Sequence, residues 1–527
     1  MKARTADTTR IAIHIDLKGL LFRPAYFEPL MQDLAGQGIN TVLVEYEDIF
    51  PFKGLDITYA RGDRWSPATL SRFLAAAKQN GIEVIPLQQC LGHLEYLFRW
   101  NRYRKFAENH AYPGTLCLSN PAGKALVADL LCQIMTAHPD SRYVHLGMDE
   151  AHKLATCPKC KRKGDVLTVF LDYLDELCDV CEANGKTPII WTDMLEDHFR
   201  PGLFNRFRNR VIMAPWDYAA HGPVDHTVRF SGHRTSRRWL DHADDPAAPT
   251  LGAGTPFIED LPKPLAAVIQ RYRKGDGYQP IYPARLWTDL GFRVFGASVV
   301  RASGHLAVMP NYNHIRSNIR TWSGIIRQTR QFGVVGTSWA RGTTFCPPGF
   351  NPDLTWPNIH YLASQMGAHP KPFWPGIPPA TVDRLITQIG RCRTDWRIEP
   401  SVIKEMTARR PKLRAHRHEW DSLLLMVKVL AWYRRADYAL LEVEFFHANN
   451  RPVDSEWQRR IDDQAGILRD MAALRREVRA HFGKRYQGDA FNEWCHDLFD
   501  LWERKLKHCA QESKRKLRVA ARQYALR

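Results

Sequence analysis

Residues 11–45, IAIHIDLKGLLFRPAYFEPLMQDLAGQGINTVLVE, carry the unit on which the rest of the chain is built. A β-branched run at 11–17 gives way to helical periodicity and then to a second run at 41–45. Parallel strands cannot be joined by a tight hairpin, so a strand, a helix and a strand in succession read as one βα crossover unit. The same alternation recurs at 82–88, 143–147, 188–191, 211–216, 294–299 and 334–339. Eight such runs predict an α/β fold, a (β/α)8 barrel, whose chemistry sits at the C-terminal ends of the strands.

Two stretches interrupt the rhythm. Residues 219–282, rich in His, Pro, Gly and Arg, separate the sixth and seventh strands and hold one convincing helix, near 264–272; they are expected to form an excursion over the active-site face. Beyond the Pro-rich segment AHPKPFWPGIPPA at 368–380 the periodicity is purely helical. The expected organisation is therefore a barrel domain at 1–379 followed by a basic α-helical domain at 380–527. Residues 401–527 hold 27 Lys/Arg against 18 Asp/Glu, half of the net charge of +18. Those charges alternate in sign at helical spacing, which favours a solvated helix face over a nucleic-acid surface.

The composition, 44% apolar and 25% charged over 527 residues, excludes a disordered chain. No apolar segment of signal-peptide type opens the sequence, and no run of eighteen apolar residues follows, so no membrane partner is expected. Eleven cysteines, an odd number without an export signal, fit reduced thiols and a cytoplasmic location.

The most informative residues are Asp149 and Glu150, which close the fourth strand in RYVHLGMDEAH. Two adjacent carboxylates at a barrel mouth repel, so one is expected to hold a proton near neutrality, as a general acid must. Glycosidases commonly set one carboxylate on each side of the scissile bond. Neighbours in sequence reach the same side, and this favours substrate-assisted hydrolysis, in which a 2-acetamido oxygen of the sugar attacks the anomeric carbon. The competing reading of the dipeptide is a helix N-cap with its first-turn acid. Trp191, Trp216 and Trp339 end separate strands, and broad indole faces suit a pyranose ring as well as they suit a core. Asp193 and Asp217, each following such a Trp, could accept hydroxyl hydrogen bonds or cap helices. Glu45 and Glu47 point the same way from the second strand, and one of them is expected to reach His93.

The cysteines offer a rival chemistry. Cys157 and Cys160, then Cys178 and Cys181 seventeen residues on, match a four-cysteine zinc spacing. Cys178 and Cys181 also continue the apolar stripe of Leu167, Phe170, Leu171 and Leu174, so a two-cysteine turn without metal is the preferred reading, and no cofactor is expected. His93 and Glu95 with the CxxC pair resemble a zinc-deaminase signature, but the Pro lies between the cysteines and the βα register is too long for that compact fold.

The segment His145-Leu146-Gly147-Met148-Asp149-Glu150 resembles the His-x-Gly-x-Asp-Glu motif of glycoside hydrolase family 20, the β-N-acetylhexosaminidases. Matching segments run in order along the barrel: IHIDLKG, NTVLVEYEDIFPF, EVIPLQQCLGHLEY, PIIWTDML, PWDY and GTSWARGTTF. The resemblance implies that Asp149 orients the acetamido group, that Glu150 is general acid and then base, and that Trp191, Trp216 and Trp339 wall the pocket. It further implies that Tyr218 bonds the acetamido oxygen and that His93 supports Glu150. Met148 stands where the lysosomal-type members usually have Gly. The Arg that grips the sugar's outer hydroxyls on strand one has no clear counterpart, Asp16 and Lys18 occupying that region. The chain opens at the first strand, so the small domain preceding the barrel in many members is expected to be absent. The implied partner is a glycan with a terminal β-linked N-acetylhexosamine. A non-catalytic glycan- or nucleic-acid-binding protein on the same scaffold is the alternative, since a fold does not fix a function.

Overall fold

A computed structural model describes residues 9–57, 63–220, 222–225, 227–230, 233–236, 258, 261, 263–301, 308–342, 344, 346–391, 400–448 and 455–525. All eight expected strands are present: β1 (Arg10–Asp16), β2 (Thr41–Glu45), β3 (Glu83–Leu87), β4 (Tyr143–His145), β5 (Thr187–Trp191), β6 (Ile212–Ala214), β7 (Phe295–Arg301) and β8 (Gly333–Ser338). They form one parallel sheet in the order β7-β8-β1-β2-β3-β4-β5-β6. Parallel bridges from Met213 to Val294 and from Trp216 to Ala297 join β6 to β7 and close the barrel.

Period-two alternation explains how the barrel carries a site. Ala12, Leu43, Ile85, Tyr143, Ile189, Ile212, Phe295 and Val335 fill the interior at its lower levels. Two and four residues further along, the same faces present His14 and Asp16 on β1, Glu45 on β2, His145 on β4, Trp191 on β5 and Trp216 after β6, so each inward row changes from apolar to polar or aromatic toward the C-terminal end. The outward rows pack against helices in a separate, larger core. Helix starts follow local chemistry: Ser66 accepts from the Thr69 N–H before Pro67–Gln79, Asn120 from Gly123 before Pro121–Ala137, and Asp165 from Thr168 before Val166–Ala183.

Between β6 and β7 the expected helix is seen at Lys263–Arg271, and Asp225 bridges Tyr278. Residues 237–257 of the expected excursion lie outside the described residues. After the barrel, long helices at Arg417–Ala448, Ser455–Phe482 and Asp500–Ala525 pack together, and many of their basic groups are paired, Arg435 with Asp470 and Arg475 with Asp500 and Glu503. Among the described residues no helix is long and apolar enough to cross a membrane.

The helical region is tied to the barrel at several places. Tyr486 and Gln487 pair antiparallel with Leu21 and Phe22, just after β1. Beside them lies Asp353, whose buried carboxylate accepts from Tyr486 Oη (2.7 Å) and Arg485 (3.1 Å) on one oxygen, and from His418 Nε2 (3.1 Å) and Ser422 Oγ (3.2 Å) on the other. Burial works against its charge, but Arg485 and the hydrogen bonds hold the carboxyl well below the usual range.

Candidate active site

The motif segment leaves β4 along an unusual path. The Leu146 N–H still donates to Ile189 O and Gly147 O still accepts from Trp191, so the backbone stays pinned to β5 before it turns. Gly147 has φ +67°, and a Cβ there would lie 1.8 Å from Gln89 Oε1, so any other residue would be strained and would displace the Gln89 side chain. Met148 (φ 76°) and Glu150 (φ 47°) then adopt left-handed conformations, as do His93 (φ 52°) after β3 and Glu47 (φ 46°) after β2. Such residues cost of order 1–3 kcal/mol each and collect where geometry serves function. At Met148 this explains why a glycine would sit comfortably at the same position.

The turn brings Asp149 and Glu150 to one histidine. His93 Nε2 is 3.4 Å from Asp149 Oδ2 and 3.3 Å from Glu150 Oε2. Burial alone would neutralise the imidazole, but the Asp149 charge and the bonds to both carboxylates outweigh it and raise its pKa well above the ordinary value. His93 thus lies between the two acids, where its protonated form is favoured. Asp149 is buried, and its second oxygen, Oδ1, has no hydrogen-bond partner among the described residues. The Glu150 side chain is 38% exposed.

Aromatic groups stand around this pair. Trp216 stacks on Tyr218 at 5.3 Å, and Trp339 Nε1 donates to Tyr218 Oη at 2.9 Å. Burial raises the Tyr218 pKa, and the charges of Asp149 and Glu150 add to the effect, so the phenol keeps its proton. Trp191 is wholly buried, packed 4.2 Å from His145 and 6.0 Å from Trp339. This residue, expected as a wall, lies in the barrel interior beside Trp339.

Three acidic residues are engaged within the protein. Asp193 accepts the Glu150 N–H on Oδ2 (2.8 Å) and Trp216 Nε1 on Oδ1 (3.2 Å), so it fixes the acid's backbone and one indole. Asp217 accepts from the Ala219 and Ala220 N–H groups, both at 3.1 Å, and so shapes its own turn. Glu45 does not reach His93. It faces Lys18 Nζ (3.0 Å) and His14 Nε2 (3.4 Å) and accepts from Gln89 (3.0 Å), and burial is overcome by Lys18 so that its carboxyl is held low. Lys18, absent from the expected contacts, gathers Asp16, Glu45 and Glu47 around one buried ammonium, 5.4 Å from the Trp339 ring. Burial opposes that charge, yet the three carboxylates, Asp16 first, raise its pKa well above the usual value. His14 and Gln89 were also missed as site residues, although alternation from Asp16 would have found His14.

A cavity of about 670 Å³ opens beside this cluster, lined by Lys18, Glu47, Arg99, Arg104 and Arg341. Asp149, Glu150, Trp216, Tyr218 and Trp339 do not line it. Arg341 also reaches Glu493, at 2.6 Å, on the C-terminal helix Asp489–Asp497. Cys178 and Cys181 are buried on the helix Val166–Ala183, as the apolar stripe implied.

Residues 48–235 match the model of the glycosyl hydrolase family 20 catalytic domain. That span holds His93, Asp149, Glu150, Trp191, Asp193, Trp216, Asp217 and Tyr218, whereas Asp16, Glu45 and Trp339 lie outside it. Hexosaminidase D of Bos taurus is 29% identical over 216 residues, 40% of this chain and 62% of the relative. Hexosaminidase D of Homo sapiens is 30% identical over 228 residues, 40% of this chain and 46% of the relative. The chain thus spans less than two thirds of the length of either. A β-N-acetylhexosaminidase structure from Bacteroides fragilis aligns over 69% of this chain and 68% of its own, at 14% identity and a TM-score of 0.43. The resemblance read from the motif is therefore found again at the level of the family model and of curated relatives.

Proposed function

We propose that this chain is a glycoside hydrolase of the β-N-acetylhexosaminidase type, exo-acting and retaining, which removes terminal N-acetylgalactosamine or N-acetylglucosamine by substrate-assisted catalysis. The observation that carries the reading is Asp149 Oδ1, a buried carboxylate oxygen without a partner among the described residues. An unmet buried acceptor costs about 1–3 kcal/mol or more, and the cost is recovered when a ligand supplies the donor. The N–H of a 2-acetamido group is a donor of the right kind, and a 2-hydroxyl sugar lacks the nucleophile that goes with it.

The chemistry follows from the two environments. Asp149 accepts the acetamido N–H, turns the amide oxygen toward the anomeric carbon, and stabilises the positive charge that spreads over the amide as the C–O bond forms. Glu150, more exposed, gives its proton to the departing glycosidic oxygen as that bond breaks. It then takes a proton from the water that reopens the ring from the same face, so the configuration is retained. His93 and Asp193 are positioning residues: one holds both carboxylates by charge, the other holds the backbone of Glu150. Tyr218 adds a hydrogen bond to the amide oxygen, with Trp216 and Trp339 against the sugar and Trp191 beneath. Asp16 and Glu45, both buried, act by holding the Lys18 ammonium below the Trp339 ring.

Nitrophenyl N-acetylgalactosaminide and N-acetylglucosaminide, with the plain β-glucoside as control, test the proposal. Hydrolysis of the acetamido sugars alone, inhibited by a thiazoline analogue of the cyclic intermediate, is the expected result. Comparable rates on the glucoside would overturn the substrate-assisted step.

A further inference from the structure

The loops that follow β3 and β4 meet a second time, away from the carboxylates. The Sγ atoms of Cys117, Cys157 and Cys160 and a carboxylate oxygen of Glu108 all lie within 4.8 Å of one another. Cys117 Sγ is 3.8 Å from Cys157 Sγ and 3.7 Å from Cys160 Sγ. A disulfide needs about 2.05 Å, so these sulfurs are not bonded to each other. A tetrahedron with Zn–S bonds of about 2.3 Å has edges of about 3.8 Å, which is the spacing found.

The fourth corner is prepared in the same way. Glu108 is buried, its Oε1 accepts the Cys157 N–H at 2.9 Å, and its Oε2 faces Cys160 Sγ at 3.2 Å. One oxygen is thus fixed by the backbone and the other is turned to the sulfurs, an arrangement of the kind that orients metal ligands. The Cys160 N–H points at Cys157 Sγ, 3.4 Å away, where it would favour a thiolate.

We propose that Glu108, Cys117, Cys157 and Cys160 form a structural zinc site. Three soft thiolates and one carboxylate suit zinc, and four protein ligands leave no open position for catalysis. The spacing of Cys157 and Cys160 fits such a site, but the partners are Cys117 and Glu108, while Cys178 and Cys181 stay in the helix core. The consequence is mechanical. The Leu116 N–H, next to Cys117, donates to Leu91 O, two residues before His93, and Cys157 follows Glu150 by seven residues. The metal would therefore clamp the loop of His93 to the loop of Glu150.

The test uses the full chain and zinc itself. Elemental analysis after dialysis should find about one zinc per chain in the wild type and in Cys178→Ser, and little in Cys117→Ser. Because Cys117→Ser could fail to fold, the wild type stripped by chelator and reloaded with cobalt provides a second readout: thiolate-to-cobalt charge transfer and the visible bands of a tetrahedral ion. Glu108→Gln should weaken zinc binding by at least about tenfold. Alkylation of Cys117, Cys157 and Cys160 should be slow in the native chain and fast after chelation. Wild-type protein that takes up neither zinc nor cobalt would overturn the proposal, as would equal zinc in a folded Cys117→Ser variant.

Discussion

Two buried carboxylates, Asp149 and Asp353, sit at opposite extremes of satisfaction. Asp353 spends both oxygens on four donors from the C-terminal helices and their connecting strand, so nothing is left for a ligand. Asp149 shares one oxygen with His93 and leaves the other without a partner among the described residues. Equal burial therefore yields opposite uses: a saturated carboxylate fastens two parts of a molecule, and an incomplete one waits for a donor. The backbone agrees, since left-handed residues gather around Asp149, at His93, Met148 and Glu150.

The largest expected effects exchange the two. Asp149→Asn should lower kcat/KM on an acetamido substrate by about 10²–10³-fold while Tm hardly moves. Asp353→Asn should do the reverse, costing about 1–3 kcal/mol in a denaturant titration because Arg485 keeps only Glu419 of its two buried carboxylate partners and the hydrogen bonds to Asp353 are weakened, with turnover per folded molecule retained. Loss of activity without loss of stability at Asp353 would break the comparison.

Glu150→Gln sharpens the division of labour within the pair. Proton donation contributes about 10²–10⁴-fold and matters most for poor leaving groups, so the variant should lose far more rate on an alkyl aglycone than in bond cleavage of a nitrophenyl one. Azide should restore part of the rate, since it needs no base. Asp149→Asn should lose similar factors on both substrates, without azide rescue; if it alone showed the leaving-group dependence, the two roles would have to be exchanged.

pH separates the centres by sign. The Asp353 pKa is depressed in the folded chain, so its stabilisation is present above the unfolded carboxyl value of about 3.9 and is lost as pH falls through the folded one. The His93 pKa is raised, so its contribution is full below the unfolded value of about 6.5 and is lost as pH rises through the folded one. Acid should loosen the helical junction and alkali the catalytic turn. Stability curves of Asp353→Asn and His93→Gln against the wild type would show it: a His93→Gln difference that grew toward alkali would contradict the assigned sign.

The smallest effect is expected at Asp193. Asp193→Asn keeps one acceptor but cannot serve both the Glu150 N–H and Trp216 Nε1, so kcat/KM should fall about tenfold, with a change in tryptophan fluorescence. Unchanged kinetics would mean that Glu150 is held in place without it.

The strands were legible in the sequence because β-branched runs with period two are a local property, and the same alternation set His14, Asp16, Glu45 and Trp191 on the inner face. The pair Asp149-Glu150 was legible because adjacency alone restricts both to one strand end. Partners were not. Periodicity says which way Glu45 points, but its pairing with Lys18 instead of His93 depends on a turn after β1 that no local pattern specifies. Asp193 and Asp217 share the same Trp-flanked context, and only the closed barrel decides that one fixes Glu150 while the other shapes its own turn. Likewise, spacing suggested Cys178 and Cys181 for Cys157 and Cys160, whereas tertiary contact brings Cys117 and Glu108, from the neighbouring loop and some forty or more residues away. The barrel and its strand ends follow from short-range periodicity and the acidic pair from adjacency in the chain, whereas which side chains meet is decided by the closed fold, because loops from successive strands converge only once the sheet has closed.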